Sequence, residues 1–347
     1  MNSTATSTPP FSSRRLGIDI GFGHTKHCTS SIRTLPDGRL SAAVQSFPSV
    51  VVMQSGFAHS DSPLNTGAVR VVDMGAINYL VGEHAALADD GAGGRPLSAR
   101  YAMTTEYEVL VKAALANVSY PSELECLVLG VPVNSAASVV QHLKARFVGD
   151  LRINGRSVRV DKVRVVDQPV AALIWEIQSR GKRSAIEGRT ALTIDVGYRT
   201  IDWVVTQGLR GVPSRSGSSP GGVSRLVQKI SLELARVTGR DCSSLRMRER
   251  VEEALCRGEP SIVVDDQHVD FAQFDPLRKH LMSSALSPIW ESIGNPTDIR
   301  DVLLVGGGCA QFQALIEEQM EGKYVTVARV PQFAIARGLQ WLAEAAR

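Results

Sequence analysis

The sequence predicts a mixed α/β fold built as two related halves around one cleft, and three observations predict it. First, an apolar run ending in Asp-apolar-Gly, then a turn and a second run, occurs twice: Asp19-Ile-Gly-Phe-Gly-His-Thr-Lys and Asp195-Val-Gly-Tyr-Arg-Thr-Ile-Asp. The copies start 176 residues apart, about half of the 347-residue chain, which is the spacing of a duplicated domain and not of a solenoid repeat. Second, strand and helix patterns alternate after the first copy, as in a mixed α/β domain. Third, at about 150 residues per domain the length allows roughly two domains.

The elements follow in order. Residues 1–13 are rich in Ser, Thr and Pro and lack an apolar h-region, so they read as a disordered tail and not as a secretory signal. Leu16 to Ile20 is a strand entering a turn at Gly21 and Gly23, with Lys26 to Ile32 as the returning strand. Pro36-Asp37-Gly38 is a turn, Phe47 to Met53 a strand, and Val69 to Asp73 and Tyr79 to Val81 two more. Gln54 to Ala68 and Ala88 to Ala99 read as loops. Thr105 to Asn117 carries apolar residues at helical spacing behind a Thr N-cap. Glu125 to Val133 is a buried parallel-type strand, Ser135 to Phe147 a helix, Val163 to Val166 a strand, and Pro169 to Arg180 a helix with Pro in its first turn.

The second half restarts with strands Arg189 to Val196 and Thr200 to Thr206. Gly208 to Ser219 reads as a loop. Helices are expected over Val223 to Val237, Ser244 to Arg257, Leu281 to Ile293, Gln311 to Glu321 and Gln332 to Ala346, with a strand at Asp301 to Val305. Residues 14–188 therefore form the first domain and 189–331 the second, with the last helix, 332–347, returning to the first.

Composition narrows the class. Apolar residues make up 44% and charged ones 21%, which supports a sizeable core and excludes global disorder. Lys and Arg number 38 against 35 Asp and Glu, a net charge of +3, so sequence-specific nucleic-acid binding by this chain itself is not expected. No apolar run approaches the roughly 18 residues of a membrane span. The five cysteines are scattered without C-x-x-C spacing, which points to a reducing cytoplasm and away from disulfides or a zinc knuckle.

Each Asp-apolar-Gly hairpin leaves backbone N–H groups that can cradle a phosphate, and glycine lets the ligand approach closely. Lys26 can place a positive charge on a phosphate oxygen. A carboxylate beside phosphates repels them unless a cation intervenes, so Asp19 and Asp195 imply Mg²⁺ held through water. Gln168, in the strand-to-helix junction Asp167-Gln168-Pro169, can orient a water for attack on a terminal phosphate, although an amide is a poor base. Gly306-Gly307-Gly308, between a strand and a helix, permits close approach of a flat ring or phosphate. Neither G-x-G-x-x-G at a first strand nor a P-loop occurs. His24, His27 and Cys28 lack a fourth metal ligand, and the run from Arg246 to Glu253 reads as a salt-bridged helix face or, alternatively, a filament or adaptor contact.

The order of these pieces resembles the actin, sugar-kinase and heat-shock-chaperone ATPase superfamily, a duplicated ribonuclease H-like fold with two domains around a nucleotide cleft. Its phosphate-1, connect-1, phosphate-2, adenosine and connect-2 motifs correspond to Asp19–Lys26, Asp167–Ala172, Asp195–Asp202, Leu304–Gly308 and Gln332–Leu339. The Leu127–Val133 strand and the short length are most similar to bacterial plasmid-segregation actins of the ParM/StbA type, to plasmid-borne protein D of the PRTRC cluster, and to archaeal actin-like relatives. The resemblance implies ATP, or GTP in its place, bound with Mg²⁺, slow hydrolysis, filaments formed with further copies, and a DNA-binding adaptor protein as partner. It implies catalytic roles for Asp19, Gln168 and Asp195. It also implies nucleotide contacts from Gly21, Phe22, Gly23, His24, Thr25 and Lys26, from Gly197, Tyr198, Arg199 and Thr200, from Gly221, Gly222 and the helix after them, from Glu249 or Glu252, and from Gly306, Gly307 and Gly308. Two residues depart from the family pattern: Phe22 replaces a small hydroxyl residue, and Arg199 stands where Gly or Thr is frequent. Two rival readings are a non-polymerising nucleotide-dependent adaptor and a small-molecule or sugar kinase. For the kinase no sugar signature is present, and a chaperone would need a substrate-binding β-domain.

Overall fold

The computed structural model describes residues 13–53, 69–75, 77–82, 85, 100–116, 122–180 and 188–346. The tail expected over residues 1–13, apart from Ser13, and the loops expected over 54–68 and 88–99 lie outside the described residues.

Two five-strand sheets of the same topology organise the chain. The first uses β1 (Arg15–Ile20), β2 (His24–Cys28), β3 (Val44–Pro48), β4 (Cys126–Val131) and β5 (Val163–Asp167), in the order β3-β2-β1-β4-β5. The second uses β6 (Thr190–Val196), β7 (Thr200–Gln207), β8 (Gly217–Pro220), β9 (Ile299–Val305) and β10 (Tyr324–Val327), in the order β8-β7-β6-β9-β10, with a two-residue strand, Arg210–Gly211, added beside β7. In each sheet the first two pairings are antiparallel and the last two parallel. The doubled motif is thus a doubled sheet.

The helices repeat as well. α1 (Thr105–Ala116), α2 (Ala137–Phe147) and α3 (Gln168–Arg180) follow β3, β4 and β5. In the second half α6 (Asp275–Ile293), α7 (Cys309–Gln319) and α8 (Ala334–Glu344) precede β9 and follow β9 and β10 in the same way. α4 (Val223–Thr238) and α5 (Leu245–Arg257), with the hairpin Ser261–Val264 and Gln267–Asp270, are an insertion of the second half. They carry a core of their own, in which Val227, Ile230, Leu234, Val251 and Leu255 pack together. α4 shows why such a segment is helical: its buried residues recur at three- and four-residue steps, and Gly239 closes it in the left-handed region at φ 68°.

Two expectations need correction. Phe47 to Met53 is not one strand: β3 stops at Pro48, and Val51–Met53 joins a separate sheet with Asn78–Gly82 and Val69–Asp73. The break comes where Ser49 leaves the ladder, its N–H donating to the Gly23 carbonyl and its hydroxyl to that of Gly21 at 2.6 Å. Gly208 to Ser219 is not all loop, because Gly217–Pro220 pairs with β7. Its Gly-Ser-Ser-Pro sequence has no strand propensity of its own, so the neighbouring strand decides.

α3 and α8 cross between the two sheets. A Cβ at Gly338 would fall 1.9 Å from the Ala171 carbonyl oxygen, so the backbones touch where only glycine fits. α8 also packs on β1, and a Cβ at Gly17 would meet the Gln340 nitrogen at 2.3 Å. The pairing of β1 with β2 begins at Ile18, and upstream of it the fully buried Gln340 completes the strand edge. Its Oε1 accepts from the Gly17 N–H at 2.9 Å and its Nε2 donates to the Arg15 carbonyl at 3.0 Å. Among the described residues no helix is long and apolar enough to cross a membrane.

Gly338→Ala is expected to destabilise the protein at or above the upper end of the roughly 1–3 kcal/mol of overpacked cores, since the obstacle is backbone. Denaturant melting measures it, and a midpoint equal to wild type would show that the helices can separate there without loss.

Candidate functional site

Both hairpins turn in the same way. In the first, the Gly21 N–H donates to the His24 carbonyl at 3.2 Å; in the second, the Gly197 N–H donates to the Thr200 carbonyl at 3.0 Å. Cross-strand pairing sets Asp19 opposite Lys26 and Asp195 opposite Asp202. The third strands keep the symmetry, with Pro48 opposite His24 and Pro220 opposite Thr200, and Ser46 and Ser218 opposite Lys26 and Asp202.

A cleft of about 460 Å³ opens between the hairpins. Its walls include Asp19, Gly21, Phe22, Gly23, His24 and Lys26 from the first, and Asp195, Gly197, Tyr198 and Thr200 from the second. Gln168 and Gly306, Gly307 and Gly308, all expected from the sequence, are on the wall as well. Asp19 is 1% exposed; its Oδ1 accepts from Gln168 Nε2 at 2.7 Å and its Oδ2 lies 3.4 Å from Lys26 Nζ. Gln168 reaches it because it is the first residue of α3, where the helix leaves the end of β5.

Asp195 is 4% exposed, and its Oδ1 has no hydrogen-bond partner among the described residues. Burial, then the nearby carboxylates of Asp202 and Asp19, push its carboxyl well above the usual range against the pull of Lys26. A carboxyl so placed either keeps its proton or takes a cation as partner. No cluster of three His, Cys, Asp or Glu side chains among the described residues could hold a metal ion unaided, so a cation between Asp19 and Asp195 would need oxygens from water or a phosphate.

The glycines explain the closeness of the walls. Gly306 has φ 93°, and a Cβ there would fall 2.3 Å from Asp195 Oδ1. Gly308 is pressed against Val196 and Val223, while Gly307 meets nothing nearer than Gln332 Cβ at 4.0 Å and faces the cleft.

Some expected residues are not on the cleft wall. The Thr25 side chain faces the other side of β2 and lies 3.0 Å from the Ser49 hydroxyl, bracing the turn. Gly221 and Gly222 donate their N–H groups to the Arg199 carbonyl at 3.1 and 3.0 Å, and the first N–H groups of α4, from Val223 and Ser224, go to the carbonyls of Gly197 and Tyr198. These groups therefore buttress the second hairpin from behind. Arg199 lies over the Phe22 ring. Glu249 is off the wall; Glu252 and Cys256, farther along α5, are on it. Val223, from the helix expected after Gly222, is on the wall, and unexpected wall residues are Ser46, Cys256, Cys309, Ala310, Pro331, Gln332, Phe333 and Ile335. For Ser46 a signal existed: Ser46-Phe-Pro48 and Ser218-Ser-Pro220 repeat the same S-x-P on the third strand.

Comparison with known proteins agrees with this architecture. Residues 17–170 match the family model of the N-terminal domain of actin-like proteins, and residues 193–318 that of the C-terminal domain of the archaeal actin homologue, MreB-like. Both halves of the chain are actin-like domains. Ta0583, an archaeal actin homologue, in its complex with ADP, superposes with a TM-score of 0.71 at 22% identity over 95% of this chain and 99% of that one. A ParM from Clostridium botulinum, solved as a 15-stranded filament, gives 0.70 at 17% over 96% and 99%. The actin-like protein Alp7A gives 0.66 at 14% over 95% and 96%. No curated protein matches the sequence.

Within this actin-like fold one carboxylate ties the halves together. Asp202 is 1% exposed; its Oδ2 accepts from Thr200 Oγ1 at 2.6 Å, and its Oδ1 accepts across the halves from the Val133 N–H at 2.9 Å. Burial pushes its carboxyl up to about 6, against the hydrogen bonds from Thr200, Ser218 and Val133. An unfolded Asp titrates near 3.9, so between about pH 4 and 6 the folded state holds a proton that the unfolded chain has released. The resulting stability is complete below about pH 4 and is lost as pH rises through about 6. Asp202→Asn cannot titrate, so wild type should gain about 1 kcal/mol on this variant between pH 7 and pH 5. Parallel pH profiles of thermal melting for the two proteins would refute the assignment.

Proposed function

We propose that the chain is an actin-like ATPase that binds MgATP between its lobes, hydrolyses it slowly and assembles with further copies into filaments that segregate plasmid or other DNA through a DNA-binding adaptor. One observation carries this reading: two hairpins with the same turn hydrogen bond, one per half, present Asp19 and Asp195 to one cleft, with Gln168 bonded to Asp19. The ADP complex of Ta0583 and the filament of the botulinum ParM support it by similarity of fold. We take residues 14–188 with the returning helix as one lobe and 189–331 as the other.

The residues divide the work by chemistry. Lys26 neutralises a phosphate oxygen, and N–H groups of the hairpin turns bond others. Asp19 and Asp195 would hold Mg²⁺ through water, and Asp195 Oδ1, without a hydrogen-bond partner among the described residues, is an acceptor suited to that shell. When bound, the metal supplies charge neutralisation for the phosphates. Gln168 spends its Nε2 on Asp19, so its Oε1 is the atom that can accept from an attacking water. It orients that water and takes no proton, in keeping with a slow ATPase. The open face of Gly307, with Pro331 and Phe333 nearby, suits the flat base.

The deciding experiment adds MgATP to the purified protein and follows phosphate release, light scattering and electron micrographs together. Filaments and slow release are expected. Release without assembly would favour the adaptor reading, and a phosphorylated small molecule in a substrate screen the kinase reading. Asp195→Ala should abolish release, and Gln168→Ala should lower it about 100-fold while nucleotide still binds. Unchanged turnover in either variant would remove that residue from the site.

A further inference from the structure

The two hairpin residues that depart from the family pattern lie on each other. The Arg199 guanidinium sits 5.0 Å from the centroid of the Phe22 ring. Phe22 is stacked on Tyr101 at 4.6 Å and 27°, and Tyr101 meets Tyr107 edge-on at 5.5 Å, so the ring is anchored in the core of the first half. Arg199 is anchored in the second half, its carbonyl accepting from Gly221 and Gly222. Beside this contact a Cβ on Gly23 would fall 2.9 Å from Tyr198 Cβ. The tips of the hairpins therefore touch, and the touching pair joins the lobes at the cleft.

We infer that Arg199, parked on the face of Phe22, is the specificity residue that distinguishes a nucleoside triphosphate from a diphosphate, by exchanging the ring for the terminal phosphate. The inference rests on the nucleotide reading above and names one part of its selectivity. The charge of the cleft motivates it. The carboxylates on the wall are Asp19, Asp195 and Glu252, against the single lysine Lys26. The second hairpin has Asp202 where the first has Lys26, so its cation comes from the turn, as Arg199. A guanidinium over a ring at a partly exposed site is held weakly, whereas its planar fork meets phosphate oxygens in two charge-assisted bonds. The ring thus orients Arg199 without trapping it.

Binding of fluorescent ATP and ADP analogues in the presence of Mg²⁺ tests this on the full chain. In Arg199→Ala the preference for ATP over ADP should fall about tenfold or more with ADP affinity little changed. Arg199→Lys should keep part of the preference, since charge remains and the fork is lost. Phe22→Leu, which keeps apolar bulk but no ring, should lower it partially. Melting without nucleotide reads the structural share of the clasp, and if Arg199→Ala does not stay folded, the Lys and Leu variants decide. Equal loss of ATP and ADP affinity, or an unchanged ratio, would overturn the role of Arg199 and leave the nucleotide reading intact. A wild-type protein that binds neither nucleotide would overturn both.

Discussion

The crossing of α3 and α8 is the constraint on which the site depends. The two backbones touch at Ala171 and Gly338, so the sheets on either side have little freedom to shift along the crossing. Both helices begin at the cleft. Gln168 opens α3 against Asp19, and Phe333 and Ile335, at the start of α8, lie on the cleft wall. Gln340, a turn and a half farther along α8, is fixed to the main chain of β1. This packing contact, which involves no charged group, is therefore one of those that hold the Asp19 and Asp195 hairpins against each other. Small residues suit it because any side chain at the crossing would add its own thickness between the sheets.

Around this axis the halves are symmetric in backbone and unequal in chemistry. The strand order, the turn hydrogen bond and the S-x-P third strand repeat. Yet the position facing the aspartate is Lys26 in one hairpin and Asp202 in the other. Lys26 balances Asp19 directly. Asp202 instead adds a buried acid beside Asp195 and is tolerated because Thr200 and the Val133 N–H bond it. Removing a partner from such a group leaves its desolvation uncompensated, which makes the Val133 contact a tie between the halves and not an incidental one. Duplication supplied the scaffold, and divergence at this one strand position set a lysine beside one aspartate and a second buried acid beside the other.

What the sequence made legible follows the same division. The Asp19 and Asp195 hairpins were readable because an Asp-apolar-Gly turn has a local cause: glycine's freedom and the ends of apolar runs. Gln168 was readable from its strand-to-helix junction. β8 was not, since Gly217-Ser-Ser-Pro220 is a strand only through its partner β7. Gly221 and Gly222 read as facing a ligand, but two glycines before a helix look the same whether their N–H groups point to a phosphate or, as here, to the Arg199 carbonyl. Wall residues such as Cys309 and Ile335 carry no signal, because an apolar residue near a helix start reads as core. Phe22 and Arg199 were each visible as oddities, while their contact was not, since nothing in a single sequence couples positions 177 residues apart.

The charge arrangement gives a physical reason for ligand and lobe closure to be linked. Asp19 and Asp195 come from different lobes, and with Asp202 they form a buried acidic group opposed by one lysine. Like charges in a poorly solvated site repel, which favours opening or protonation. On the proposed reading, a cation and a polyphosphate between the hairpins would reverse that sign, each lobe being drawn to the shared ligand and not to the other lobe. The closing force would then scale with the charge the ligand brings, and a triphosphate would close the cleft more firmly than a diphosphate. A protein that assembles in response to its nucleotide requires this dependence of shape on ligand charge, because an interface can respond only to a difference in conformation. The hairpin tips, already in contact through Gly23 and Tyr198, limit how far closure can go. On that reading, hard contacts at the tips and at the helix crossing would set the closed form, and the charge in the cleft would decide how much of the time that form is occupied.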